Sequence, residues 1–244
     1  MNRASIAFGI ALGLGTGGGL AHAATINGIF QIDGSMTASL NTITWVDNSD
    51  AAEMFVIGPP TPTGSFSAVA LNSEGTIENL NLTAEPVGIA FADPDFMVLP
   101  SPDGNLSVTL TYIYAGTDGQ SECAAAPAAG QQCTPLDANG TPGPFDLQNS
   151  SSGQTSSASF TFQGVVTDGN PADNSVINGQ FSVNFDTPYQ SVLAVLATSG
   201  SVSNTYSATF SAEGTATPEP SGILLMLGGL LVGAGLFRKR RLTN

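Results

Sequence analysis

The chain has 244 residues with five Lys and Arg, 19 Asp and Glu and one His, for a formal net charge of −14. Every basic residue stands near an end, as Arg3, Arg238, Lys239, Arg240 and Arg241, and the histidine is His22; the interval 24–237 therefore carries all 19 acids and no cation, a net −19. Such a surface cannot neutralise phosphates, which argues against nucleic acid as a partner. The same gap removes the imidazole of Ser-His-Asp and Cys-His nucleophile systems, the usual zinc donor and the Lys or Arg clamp of phosphate-handling loops. Carboxylate chemistry, such as a glycosidase pair, and oxygen-ligand calcium sites stay open. No particular catalytic residue, cofactor or metal ligand is assigned.

Met1–Ala23 begins with Arg3, continues through a glycine-interrupted apolar run from Ile6 to Leu20, and ends in Ala21-His22-Ala23. That order is the pattern of a secretory signal peptide cut before Ala24, with Ala21 and Ala23 as the small residues at the site. Export by this route makes signal peptidase a partner and places the body where thiols oxidise.

The body, 24–215, reads as a single all-β domain. Period two, the mark of a strand with one buried face, dominates. Early segments are Ile26–Ile32, Ile43–Val46, Met54–Ile57, Phe66–Leu71, Ile77–Leu82 and Phe96–Leu99. In "LSVTLTYIY" Leu106, Val108, Leu110, Tyr112 and Tyr114 share one face. "SASFTFQGVV" aligns Ala158, Phe160 and Phe162, "FSVNF" aligns Phe181, Val183 and Phe185, and "VSNTYSATF" aligns Val202, Tyr206, Ala208 and Phe210. Tyr189–Ala197 suits a short helix or a fully buried strand. About ten antiparallel strands with Ser/Thr-rich outer faces predict a β-sandwich. A chain this long buries roughly 70% of its unfolded surface without help from a cofactor.

Residues 116–153 are poor in apolar side chains and form a long surface excursion, with Phe145 and Leu147 docking its tip onto a sheet. Cys123 and Cys133 flank its "AAAPAAGQQ" and are predicted to form a disulfide; closing so short a loop stabilises by roughly 2.5–3 kcal/mol in the loop-entropy treatment. Asp93-Pro94-Asp95 and Asp168–Asn174 combine acids with turn formers, and the second does not have the spacing of a calcium loop. Trp45, Tyr112, Tyr114, Tyr189 and Tyr206 suit either core packing or sugar stacking, with Trp45 reading as a core anchor.

The last stretch, 216–244, has three elements in order: Pro218-Glu219-Pro220, an apolar segment over 222–237, and the cluster Arg238, Lys239, Arg240 and Arg241. As a helix, Ile223–Phe237 reaches roughly 22 Å, short of a hydrocarbon core of about 30 Å. The basic cluster would hold the far end on the cytoplasmic side. This tail resembles the PEP-CTERM sorting signal of Gram-negative bacteria. The resemblance implies that exosortase, a membrane transpeptidase-like enzyme, acts near Pro218, Glu219 and Pro220. It further implies a transient inner-membrane intermediate, then release to the cell surface or the exopolysaccharide matrix. The expectation is therefore a non-enzymatic exported surface or matrix protein whose hydroxyl-rich exterior meets exopolysaccharide. The alternative is a calcium-stabilised carbohydrate-binding module or adhesin that keeps its tail as a membrane anchor.

Overall fold

The computed structural model describes residues 25–47, 52–100, 106–137 and 140–214. In chain order its elements are β1 (Gly28–Ser39), β2 (Thr42–Val46), β3 (Met54–Gly58), β4 (Glu74–Ile77), β5 (Leu80–Asn81), β6 (Asp93–Val98), β7 (Ser107–Ile113), β8 (Gln132–Cys133), β9 (Asp146–Asn149), β10 (Ser156–Thr167), β11 (Ser175–Phe185), α1 (Tyr189–Ser199) and β12 (Ser201–Glu213). The all-β expectation holds, and the strand pairings between these elements are antiparallel.

The expected sandwich of two stacked sheets gives way to a closed sheet. Pairing runs β11-β12-β1-β3-β4-β6-β7-β10 and returns through β10 and β11, an eight-stranded antiparallel barrel. The closing contact of first and last strands is long: β1 pairs β12 from Gly28↔Ala212 to Ser39↔Ser201. Four long strands, β1, β12, β11 and β10, outrun the short ones opposite, so the barrel is closed at one end and flared at the other. At the flared end Ser35–Ala38 leave β3 behind and pair with β2, which carries β5. On the other side Ser156–Ser159 of β10 pair with β9, which carries β8.

Eight strands leave an interior that side chains just fill. Here rings do much of the filling. Phe181 lies 4.7 Å from both Trp45 and Phe160, 5.3 Å from Tyr206 and 5.6 Å from Phe162, centroid to centroid. Phe30 stacks on Phe210 at 4.7 Å. Gly179 points inward, where a Cβ would run into Phe162 and Phe210, so its lack of a side chain makes room for two rings.

Three local expectations are corrected. Phe66–Leu71 is not a strand: Gly64–Phe66 is one turn of 3-10 helix, and the turn continues with Ser67 N–H on Gly64 O and Val69 N–H on Phe66 O. Phe66 and Val69 are both buried at a spacing of three rather than two. Ile77–Leu82 is broken between β4 and β5, where the Asn79 side chain accepts the Trp45 N–H at 2.9 Å and stands in for a strand partner. In β7, Gln163 opposes Tyr112 while Gly164 opposes Leu110, leaving Thr111 as the extra residue of a β-bulge. The bulge resets the alternation, so Ile113 is buried and Tyr112 and Tyr114 face outward.

Residues 189–199 take the helical option. Gly200 ends α1 in the left-handed region at φ 78°, its N–H bonded to Leu196 O at 2.9 Å. The excursion 116–153 is pinned as expected: Cys123 and Cys133 form a disulfide with Cα atoms 5.2 Å apart, Leu147 is buried in β9, and the Phe145 ring lies 5.2 Å from Phe160.

Candidate functional site

Residues of the two sequence signals lie outside the described residues. These are Ala21, Ala23 and Ala24 of the cleavage site, Pro218, Glu219 and Pro220, the segment 222–237, and Arg238, Lys239, Arg240 and Arg241. Among the described residues no helix is long and apolar enough to cross a membrane. What the structure does place is the pair of points from which both signals continue. Thr25 and Gly214 are neighbours at the closed end, where a Cβ on Gly214 would collide with the Thr25 hydroxyl, and Ile26 N–H bonds Asp173 O at 3.1 Å.

The flared end, about 30 Å away along β1 and β12 at a strand's rise per residue, holds an apolar cleft of about 90 Å³. Met36, Ala38, Val183 and Phe185 form its floor, Phe145 and Leu147 one wall, and Leu193 and Leu196 of α1 another. Among the described residues Asp137 is the one carboxylate in its lining, and it is engaged by the Thr141 N–H at 2.8 Å and the Thr141 hydroxyl at 2.9 Å. A glycosidase needs two carboxyl groups facing one sugar; the described residues of this lining supply one.

Several acids elsewhere hold turns and loops together. Asp146 Oδ1 accepts the Thr117 N–H at 2.8 Å and the Thr134 hydroxyl at 2.5 Å, closing the root of the excursion; Asp118 beside it is raised by burial and then by the Asp146 charge. Glu78 is raised by burial and, next, by Asp93, Glu53, Asp95 and Glu85. Asp33 and Asp93 are raised by burial alone. In Asp168–Asn174 the side chains make the turn: Asn170 N–H bonds Asp168 Oδ1 at 2.9 Å and Asn170 Nδ2 bonds Asp173 Oδ2 at 2.7 Å. Asp173 Oδ1 and Asn174 Oδ1 are buried with no hydrogen-bond partner among the described residues, but two oxygens fall short of the six to eight that calcium takes.

The five aromatic residues that suited either role are divided by the structure. Trp45, Tyr189 and Tyr206 are buried in the core. Tyr189 also donates its hydroxyl to Glu122 O at 3.0 Å and its backbone N–H to Asn149 Oδ1 at 3.0 Å, tying α1 to the excursion. Trp45 Nε1 and Tyr206 Oη are buried with no hydrogen-bond partner among the described residues, as packing residues rather than polar contacts. Tyr112 and Tyr114 stand together outside, rings 4.9 Å apart and inclined at 68°, with Tyr114 39% exposed and its hydroxyl 3.3 Å from Gln163 Nε2.

Comparison of the chain with protein-family models, with curated proteins and with solved structures gives no match in any of the three. Its chemistry therefore rests on its own residues.

Proposed function

We propose that this is an exported, non-enzymatic protein of the cell surface or exopolysaccharide matrix, routed by signal peptidase at Ala23–Ala24 and by an exosortase at Pro218-Glu219-Pro220. The observation that carries the proposal is the order of the tail: Pro-Glu-Pro, an apolar segment, then the chain's one cluster of cations. Charge asymmetry supports it, because a basic cluster is retained on the cytoplasmic side while a body with no cation meets no such retention. The adjacency of Thr25 and Gly214 supports it too. A body whose entry and exit points share one end can be held by either signal with its flared end directed away from the bilayer.

The test is replacement of Pro218, Glu219 and Pro220 by alanine in the producing cell. The expected outcome is full-length protein in the membrane fraction and a fall of at least about tenfold in the released form. Equal release of variant and wild type would remove the sorting role from this motif.

A further inference from the structure

The outer face of the barrel carries an uncharged strip that core packing does not require. Register places it: Tyr112 opposes Gln163 and Gln163 opposes Asn178, while on the next outward row Thr161 opposes Gln180 and Tyr114 N–H bonds Thr161 O at 3.0 Å. The second row continues through Thr209 of β12 to Gln31 of β1, whose Nε2 reaches the Thr209 hydroxyl at 3.0 Å. From β7 to β1 that is four interstrand steps, roughly 19 Å at the usual strand spacing. The side chains are amides and hydroxyls with two tyrosines at one end; Asp33 on β1, Glu213 on β12 and Asp146, opposite Ser159 of β10, mark where charge resumes.

From this strip we infer a binding surface for a neutral linear polysaccharide, with Tyr112 and Tyr114 as the stacking platform. Three observations select that occupant. The Thr111 bulge turns both tyrosines outward against the alternation of β7, and bulges re-aim side chains at sites that are used. Exposed aromatic faces pack against the C–H faces of sugar rings, while Gln and Asn offer both donor and acceptor to sugar hydroxyls. Charge decides the rest: a strip without cations, on a body with none between 24 and 237, repels uronate or sulfate polymers and pairs with neither. A sheet face also lacks the aromatic-walled groove that a proline-rich peptide uses. The proposal deepens the matrix role above by naming the partner, and it rests on that reading for its biological setting only.

The test uses the protein as released from cells. Retention is measured on immobilised neutral β-glucan and neutral mannan, with alginate and a proline-rich peptide as comparison ligands. The expected result is retention on at least one neutral glycan, little change with added salt, and none on alginate. Tyr112→Ala and Tyr114→Ala should each weaken retention by about tenfold, the scale of one lost stacked ring. Tyr114→Phe, which keeps the ring, should hold most of it, and unchanged melting of each variant shows the fold intact. No retention on either neutral glycan, retention indifferent to both tyrosines, or equal capture by the peptide would overturn the proposal. Failure of the sorting test leaves this binding measurement untouched, so the two ideas fail separately.

Discussion

Phe181→Ala is expected to cost about 3–5 kcal/mol, the range for removing a fully buried ring whose surroundings cannot collapse. Phe181 sits where the closed barrel meets the flared end, ringed by Trp45, Phe160, Phe162, Tyr206 and Phe210 within 5.8 Å. Those neighbours belong to β2, β10 and β12, so truncation opens a void bordered by separate strands that cannot all move in. For a domain of this size the loss lowers Tm by roughly 10–15 °C. Phe185→Ala, on the same face but only partly buried, should cost clearly less. Equal small shifts in both, read by thermal or denaturant melting, would mean the ring cluster does not organise the core.

Mild acid is expected to stabilise the protein. In many proteins, carboxylates held below their ordinary values by cations lose that support as pH falls. Here no cation is available between 24 and 237, and the shifted carboxylates Asp33, Glu78, Asp93 and Asp118 all lie above their ordinary 3.8 or 4.5. The sign follows directly. Between the unfolded and the raised folded values the native state binds more protons, so stability falls as pH rises through that window and returns as pH is lowered. Protonation also reduces the general repulsion of a body at −19, and added salt should raise Tm at neutral pH by screening it. Melting followed from pH 7.5 down to about 5 should show a rising Tm; a steady decline would require a carboxylate with a favourable partner.

The period-two pattern of the long strands was legible because each strand buries one face, as in β10, β11 and β12. The disulfide was legible from compartment and spacing. Barrel closure was not: it depends on β1 meeting β12 across nearly the whole body, and one-faced strands serve a sandwich equally well. Phe66–Leu71 misled because Phe66 and Val69 are buried by a turn, and hydrophobicity alone does not separate the two. The outward strip was half legible. Gln163, Asn178 and Gln180 sit at positions the alternation assigns to the outer face, but the Thr111 bulge that brings Tyr112 and Tyr114 beside them leaves no mark in composition. Two-residue β8 and four-residue β9 were missed because segments so short carry no measurable period.

The most direct test of the central claim is the intact mass of the protein isolated from the surface of the cells that make it. The account gives a polypeptide that begins at Ala24, ends close to Pro218-Glu219-Pro220, and lacks the two hydrogens removed by the Cys123–Cys133 bond. Any glycan or anchor would appear as added mass on that polypeptide. A mass that still includes residues 222–244 or Met1–Ala23 would contradict it.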